Sequence, residues 1–255
     1  MTPDSLVYTR TCRIRPHHVN MNQVLRTSSL LRLMQDTSVA HTEALGLTKE
    51  KTLEQGLLWV IARQHIVIHR MPVYDEDIQI CTWPDKMQHL FFPRRHQVFS
   101  ADGSICLVEA EALWLLMDQK DRHMVFPSDY ELSLPGRPDV SDFPDIPPIR
   151  SASDAAAVNQ TIYTPRFSQT DLNGHVNNAA YFDLIDDLLP SDYLAAHVPA
   201  EIFCEYASEI RPGQAVRLRC LASEAQPDLF WFEGIPESAG SSRASFRIRI
   251  QFVRS

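Results

Sequence analysis

The chain has 255 residues, 44% hydrophobic and 22% charged, with a net charge of −8 at pH 7. That is enough for one large globular domain or two small ones, and the acidic balance argues against general nucleic-acid binding. The longest uninterrupted apolar run, Ala112 to Met117, is far too short to span a bilayer, so no membrane span is expected.

The N-terminus has no basic segment followed by an apolar one, so no signal peptide is read there. Cys12, Cys81, Cys106, Cys204 and Cys220 are scattered and form no CxxC pair, which predicts reduced thiols in a cytoplasmic protein. His65 and His69 are four apart but lie in a strand-like run, so they read as one strand face and not a metal site. No metal or cofactor is expected.

In chain order, Thr27 or Ser28 is the expected N-cap of a first helix. Its buried stripe is Leu30, Leu33, Met34, Thr37, Ala40, Ala44 and Leu45, and Gly46 ends it. Strands are predicted over Leu57–Arg70, Asp77–Thr82, Leu90–Ser100 and Ile105–Met117, with residues 101–104 as a hairpin turn. Residues 127–160 are rich in Pro, Asp and Ser and read as an extended connector, neither strand nor helix. It separates a first domain, 1–126, from a second, 161–255.

The second domain repeats the first. Shifted by 151 residues, 19–36 falls on 170–187, so that Asn22 meets Asn173 and Leu33 meets Leu184. Asn177 or Asn178 is the expected cap of a second helix with Ala180, Tyr181, Leu184, Ile185 and Leu188 buried, stopped by Pro190. Asp183, Asp186 and Asp187 read as its solvated face. Strands follow over Glu201–Ile210, Ala215–Ala222, Leu229–Gly234 and Ala244–Val253. A helix followed by about four antiparallel strands, twice over, is an α+β fold in which each helix is wrapped by a sheet: a tandem double hotdog. A pocket is expected between the paired units.

Just before the second helix, Asp171, Asn173 and His175 stand at i, i+2, i+4. In an extended chain these would point one way, aiming an acid, an amide and an imidazole at one spot. Singly, the first two read as turn or cap residues and His175 as a structural histidine; their joint spacing points to hydrolysis of an acyl ester or thioester.

The string Asp171-Leu-Asn-Gly-His-Val-Asn-Asn-Ala-Ala-Tyr181 resembles the D-x-N-x-H-V-N-N-x-x-Y signature of acyl-acyl-carrier-protein (acyl-ACP) thioesterases. The runs at 57–72 and 91–98 also resemble that family's long N-terminal strand and its Arg-Arg strand. The resemblance covers nearly the whole chain, 8–255. It implies a catalytic Glu 34 residues after the His, here Glu209, on the strand after the helix. The next position is often Cys in the family and is Ile210 here, which excludes a cysteine nucleophile at that place.

By this resemblance Glu209 is the best candidate base, His175 shares that role or polarises the water, Asp171 holds the imidazole or positions the water, and Asn173 serves the oxyanion or orients His175. Asn177 and Asn178 add helix-start donors. The first half would hold the acyl chain, with Leu30, Leu33, Met34, Trp59 and Ile61 as lining candidates. The implied partner is acidic ACP, docking on basic residues such as Arg94 and Arg95; a homodimer stays open. The competing activity is acyl-CoA hydrolysis, since acyl-CoA thioesterases of the wider hotdog superfamily carry similar strings. A hotdog dehydratase would instead set its His against a carboxylate on the opposing helix, and a non-catalytic acyl-binding module would lack one of the four site residues.

Overall fold

The structure is a computed structural model and describes residues 6–126, 145–237 and 243–255. The first half runs β1 (Tyr8–Arg13), α1 (Thr27–Ala44), α2 (Lys49–Glu54), β2 (Leu57–Ile68), β3 (Asp77–Pro84), β4 (Phe92–Ser100) and β5 (Cys106–Asp118). The second runs β6 (Ala156–Tyr163), α3 (Ala180–Asp186), α4 (Ser191–Ala196), β7 (His197–Tyr206), β8 (Val216–Ser223), β9 (Gln226–Pro236) and β10 (Phe246–Arg254).

These strands form one antiparallel sheet in the order β1-β3-β4-β5-β2-β7-β10-β9-β8-β6. Its two sides mirror each other strand for strand and join along β2 and β7, where Ile66 faces Ile202. That symmetry is the internal repeat made visible. α1 and α3 lie together on the sheet's inner face, and their apolar residues share one core with inward residues of both halves, as the double hotdog requires.

α1 buries Leu30, Leu31, Leu33, Met34, Thr37, Ser38 and His41 along one stripe. The polar members are satisfied locally: the Thr37 hydroxyl donates to the Leu33 carbonyl at 2.7 Å and the Ser38 hydroxyl to that of Met34 at 3.0 Å. The helix begins at Thr27 itself, and neither Thr27 nor Ser28 caps it; Arg26 is the N-cap and uses no side-chain bond. Gly46, at φ +80°, takes the left-handed position past the end.

Several expected boundaries move. Part of the proline-rich connector, 127–144, lies outside the described residues. Of the remainder, β6 begins at Ala156, inside the stretch read as connector; nearly all of its residues are exposed, so it carries no apolar alternation to read. Ile146 packs against Leu113, and its carbonyl accepts from Arg63 at 2.9 Å, which fixes the approach to β6. β7 ends at Tyr206, four residues before the strand end expected at Ile210. α3 is one to two turns long and starts at Ala180, without a side-chain cap on its N-cap Ala179.

The acidic face of α3 is also not simply solvated. Asp183 accepts from Arg32 at 2.8 Å and from the Ser28 hydroxyl, tying α3 to α1. Burial, reinforced by Asp183 and Asp187 against the opposing Arg26, pushes the Asp186 carboxyl up to about 7.

On the outer face at the β2–β7 seam, His65 sits between Glu201 at 3.1 Å and Glu111 at 3.5 Å. Burial disfavours the imidazolium, yet the hydrogen bonds and charges of Glu111 and Glu201 outweigh it and raise the His65 pKa. A raised folded-state pKa adds stability that is fully present below the unfolded value, about 6.5, and is lost as pH rises through the folded value. His65→Gln should therefore lower the melting temperature by a few degrees at pH 6 and by less at pH 9, measured by thermal unfolding at both. An equal loss at the two pH values would sink this reading of the seam. No helix of the described residues is long and apolar enough to cross a membrane.

Candidate active site

The Asp171–His175 segment is a chain reversal, not the extended stretch its spacing suggested. Gly174 donates its backbone N–H to the Asp171 carbonyl at 3.1 Å, and Asp171 donates to the His175 carbonyl at 2.8 Å. Gly174 supplies φ +76°, the left-handed corner such a turn needs. The Asp171 Oδ1 accepts the Asn173 N–H at 2.8 Å and the His175 N–H at 3.5 Å. Asn173 is therefore at the exposed turn tip, while His175 lies past the corner and is buried.

The first half repeats this turn. Asn20 Oδ1 accepts the N–H groups of Asn22 at 3.0 Å and Val24 at 3.2 Å, and Gln23 takes the left-handed corner at φ 63°. Val24 stands where His175 stands in the second half, so only one copy carries an imidazole.

Glu209 comes from the loop after β7 rather than from the strand. That loop is held by Ala207 and Ser208 N–H groups on the Ser245 carbonyl, at 2.7 and 3.1 Å, and by Val176 N–H on the Ile210 carbonyl at 2.8 Å. The last bond ties it to the Asp171 turn. Its result is that Glu209 Oε2 lies 2.8 Å from His175 Nε2. The partner of the imidazole is thus Glu209, and Asp171 spends Oδ1 on backbone amides instead of holding the ring. The other Glu209 oxygen, Oε1, accepts from Arg122 at 2.7 Å. Sequence reasoning missed Arg122, because nothing in a charged turn far upstream marks it. Tyr181 lies buried beside this group; burial first, then the carboxylates of Asp171 and Glu209, raise its pKa.

A cavity of about 1130 Å³ opens beside the turn, lined by Asp171, Asn173, Gly174 and Asn177 from the second half and by Trp59, Phe92 and Trp114 from the first. That is at or above the ~300–1,000 Å³ of small-molecule sites. Trp59 meets Phe92 edge to face, with ring centroids 4.9 Å apart. Of the lining residues expected from the sequence, Trp59 and Asn177 border the cavity. Leu30, Leu33, Met34 and Ile61 are buried and do not border it; the face of α1 turned to the cavity carries Arg32, Gln35, Asp36, Val39 and Glu43. Asn178 does not line it, and Asn177 Oδ1 is taken by the Ala179 N–H at 2.9 Å, leaving its amide donors free of that bond.

Arg94 and Arg95 are corrected too, since neither offers an open docking charge. β4 alternates, and its inner face carries Arg94 and His96. Arg94 is 5% exposed and donates to His41 Nδ1 and Thr82 Oγ1, both at 3.2 Å, and to Thr42 Oγ1 at 3.3 Å. Burial lowers it to about 10, and burial with the nearby Arg94 charge lowers His41 to about 4 and His96 to about 3, so both histidines are neutral acceptors or donors at neutral pH. Arg95, on the opposite face, pairs with Asp85 at 2.9 Å with both side chains largely covered. Cys204 is buried and its thiol is pushed up to about 12 by burial, which makes it an unreactive core residue.

Residues 5–129 match the acyl-ACP thioesterase N-terminal domain, and residues 152–252 match the acyl-ACP thioesterase C-terminal domain. The chain is 25% identical over 232 residues to an oleoyl-acyl carrier protein thioesterase of Coriandrum sativum, covering 85% of this chain and 63% of that protein. It is 23% identical over 223 residues to a palmitoyl-acyl carrier protein thioesterase of Cuphea hookeriana, covering 81% and 52%. The chain therefore spans between about half and somewhat under two thirds of the length of these curated relatives. It shares its fold with an acyl-ACP thioesterase from Bacteroides thetaiotaomicron, at TM-score 0.81 and 22% identity over 99% of this chain and 100% of that one. The 12:0-ACP thioesterase from Umbellularia californica gives TM-score 0.81 at 19% identity over 98% of both chains. With both domain models matched in order along one double hotdog, the chain belongs to the acyl-ACP thioesterase family.

Proposed function

We propose that the protein hydrolyses fatty acyl-ACP to free fatty acid and ACP. The observation that carries this reading is Asp171. It borders the cavity, its Oδ1 is fixed by two backbone N–H groups, and its Oδ2 has no hydrogen-bond partner among the described residues. A carboxylate fixed on one side and free on the other suits the removal of a proton from water. Glu209, the base expected from sequence, has both oxygens engaged and does not border the cavity, so it orients His175 instead.

In this reading the acyl chain lies against Trp59, Phe92 and Trp114, and the thioester carbonyl sits at the Asp171 turn. Asp171 takes a proton as water attacks the carbonyl carbon. The amides of Asn173 and Asn177 donate to the oxyanion. Collapse breaks the C–S bond, and the thiolate leaving group takes the proton back. His175, held by Glu209, does not border the cavity either and fixes the turn from behind. The first half, to residue 126, holds the acyl chain, and the second half from β6 onward carries the chemistry. The names of the relatives, an oleoyl- and a palmitoyl-acyl carrier protein thioesterase, support the choice of carrier.

The test is kcat/KM on acyl-ACP and acyl-CoA of equal chain length. The expected result is a preference for ACP of at least about tenfold, or ~1.4 kcal/mol in the transition state. A CoA preference of that size overturns the carrier, and absence of turnover on both overturns the reaction.

A further inference from the structure

Arg122 is the member of the polar cluster that neither the signature nor the spacing points to. It comes from the first half, in the turn that follows β5, and reaches across to the second-half loop bearing Glu209. The turn is tightly built: Asp118 donates to the His123 carbonyl at 2.9 Å, and the Asp118 carboxylate accepts the Lys120 and Asp121 N–H groups, each at 2.8 Å. Arg122 itself stands at φ +56°, a left-handed conformation that a non-glycine residue adopts at a cost. Strain of this kind is retained where surrounding structure fixes it, and here it places a guanidinium Nη1 2.7 Å from Glu209 Oε1.

We propose that Arg122 is a positioning residue for the hydrolytic site, acting through Glu209 on His175. This rests on the thioesterase reading above. A carboxylate on a loop can turn about its last torsion and offer either oxygen. With Oε1 on Arg122, Oε2 is left aimed at His175 Nε2, 2.8 Å away. A carboxylate only accepts, so the Nε2 of His175 is the donor in that bond. Ring orientation and tautomer are thereby set by a residue of the other half. The three side chains are 34%, 30% and 11% exposed, shielded enough for a charge-assisted bond to hold its geometry. The first half then does more than hold the acyl chain: it completes the catalytic group of the second.

The test compares wild type with Arg122→Gly and Arg122→Lys on acyl-ACP, with and without added guanidinium chloride at low millimolar concentration. Glycine suits the left-handed backbone, so Arg122→Gly keeps the turn and removes only the side chain. The expected result is a fall in kcat of about 10- to 100-fold, with KM within about threefold of wild type. Arg122→Lys should retain an intermediate rate, and guanidinium should restore several-fold activity to Arg122→Gly alone. A purely structural role would not respond to guanidinium. An active wild type whose Arg122→Gly variant keeps its kcat within about twofold, or loses it without any guanidinium recovery, overturns this inference and leaves the thioesterase reading standing. A wild type without turnover on any acyl thioester overturns both.

Discussion

Asp171→Asn lowers kcat by about 10²- to 10⁴-fold, the range for loss of a positioned general base. The substitution is close to isosteric. An asparagine carbonyl can accept the Asn173 and His175 N–H groups as Asp171 Oδ1 does, so the turn keeps its shape. What is lost is the second carboxylate oxygen of a residue that borders the cavity. KM and thermal stability should stay near wild type, because the change touches neither the aromatic wall nor the core. His175→Ala and Glu209→Gln should each cost a comparable factor. Their double variant should cost little more than the worse single one, since the two residues act as one hydrogen-bonded pair at 2.8 Å. Steady-state kinetics on one acyl-ACP, with melting temperatures beside them, separate these outcomes; an Asp171→Asn enzyme with wild-type kcat would remove the base assigned here.

The second large effect is on the fold beneath the site. Gly234→Ala on β9 should destabilise the protein by about 3 kcal/mol or more, equivalent to a melting temperature lower by roughly 6–12 °C. A Cβ at that position would lie 2.2 Å from Phe246 Cε1 and within 2.8 Å of two further ring atoms. The ring cannot step aside. Phe246 is fully buried, pairs opposite Gly234 in the sheet, and stacks on Tyr181 with centroids 4.3 Å apart and planes 16° apart. Tyr181 in turn is near enough to Asp171 and Glu209 for their charges to raise its pKa, so displacing Phe246 should also depress kcat. The clash is specific to one pair, which sets a second expectation. Phe246→Leu alone leaves a void, and the double variant Gly234→Ala, Phe246→Leu should be more stable than the sum of the singles. Additive losses would show that Gly234 matters for some reason other than this ring.

The repeat was legible because Asn22 and Asn173, with their flanking apolar residues, keep the same turn and the same helix stripe in both halves; the mirrored strand order follows from it. Strands with one buried face, such as β8 and β10, announced themselves by alternation. β6 did not, because an exposed edge strand has no buried face. The Asp171 triplet reads as an extended chain from its spacing and is a turn in the structure. Strict alternation describes an extended chain only where nothing reverses it, and Asp at the turn start with Gly174 at φ +76° reverses it. Arg94 shows the converse: charge alone suggests surface, but its place on the inward register of β4 puts it under α1 among Thr42, Thr82 and His41. Glu209 is named by the family resemblance, and its contacts with His175 and Arg122 are not contained in the sequence pattern. Arg122 and Glu209 lie 87 residues apart and meet only because β2 and β7 join the halves.

The proposed hydrolysis turns on Asp171, a carboxylate residue at the cavity. Its most direct test is the rate of free thiol release from acyl-ACP over a panel of acyl chain lengths, with wild type and Asp171→Asn assayed side by side. The expected result is turnover by wild type on at least one chain length, with matching free fatty acid, and about 1% of that rate or less in the variant. No release by wild type across the panel, or equal release by the two proteins, would contradict it.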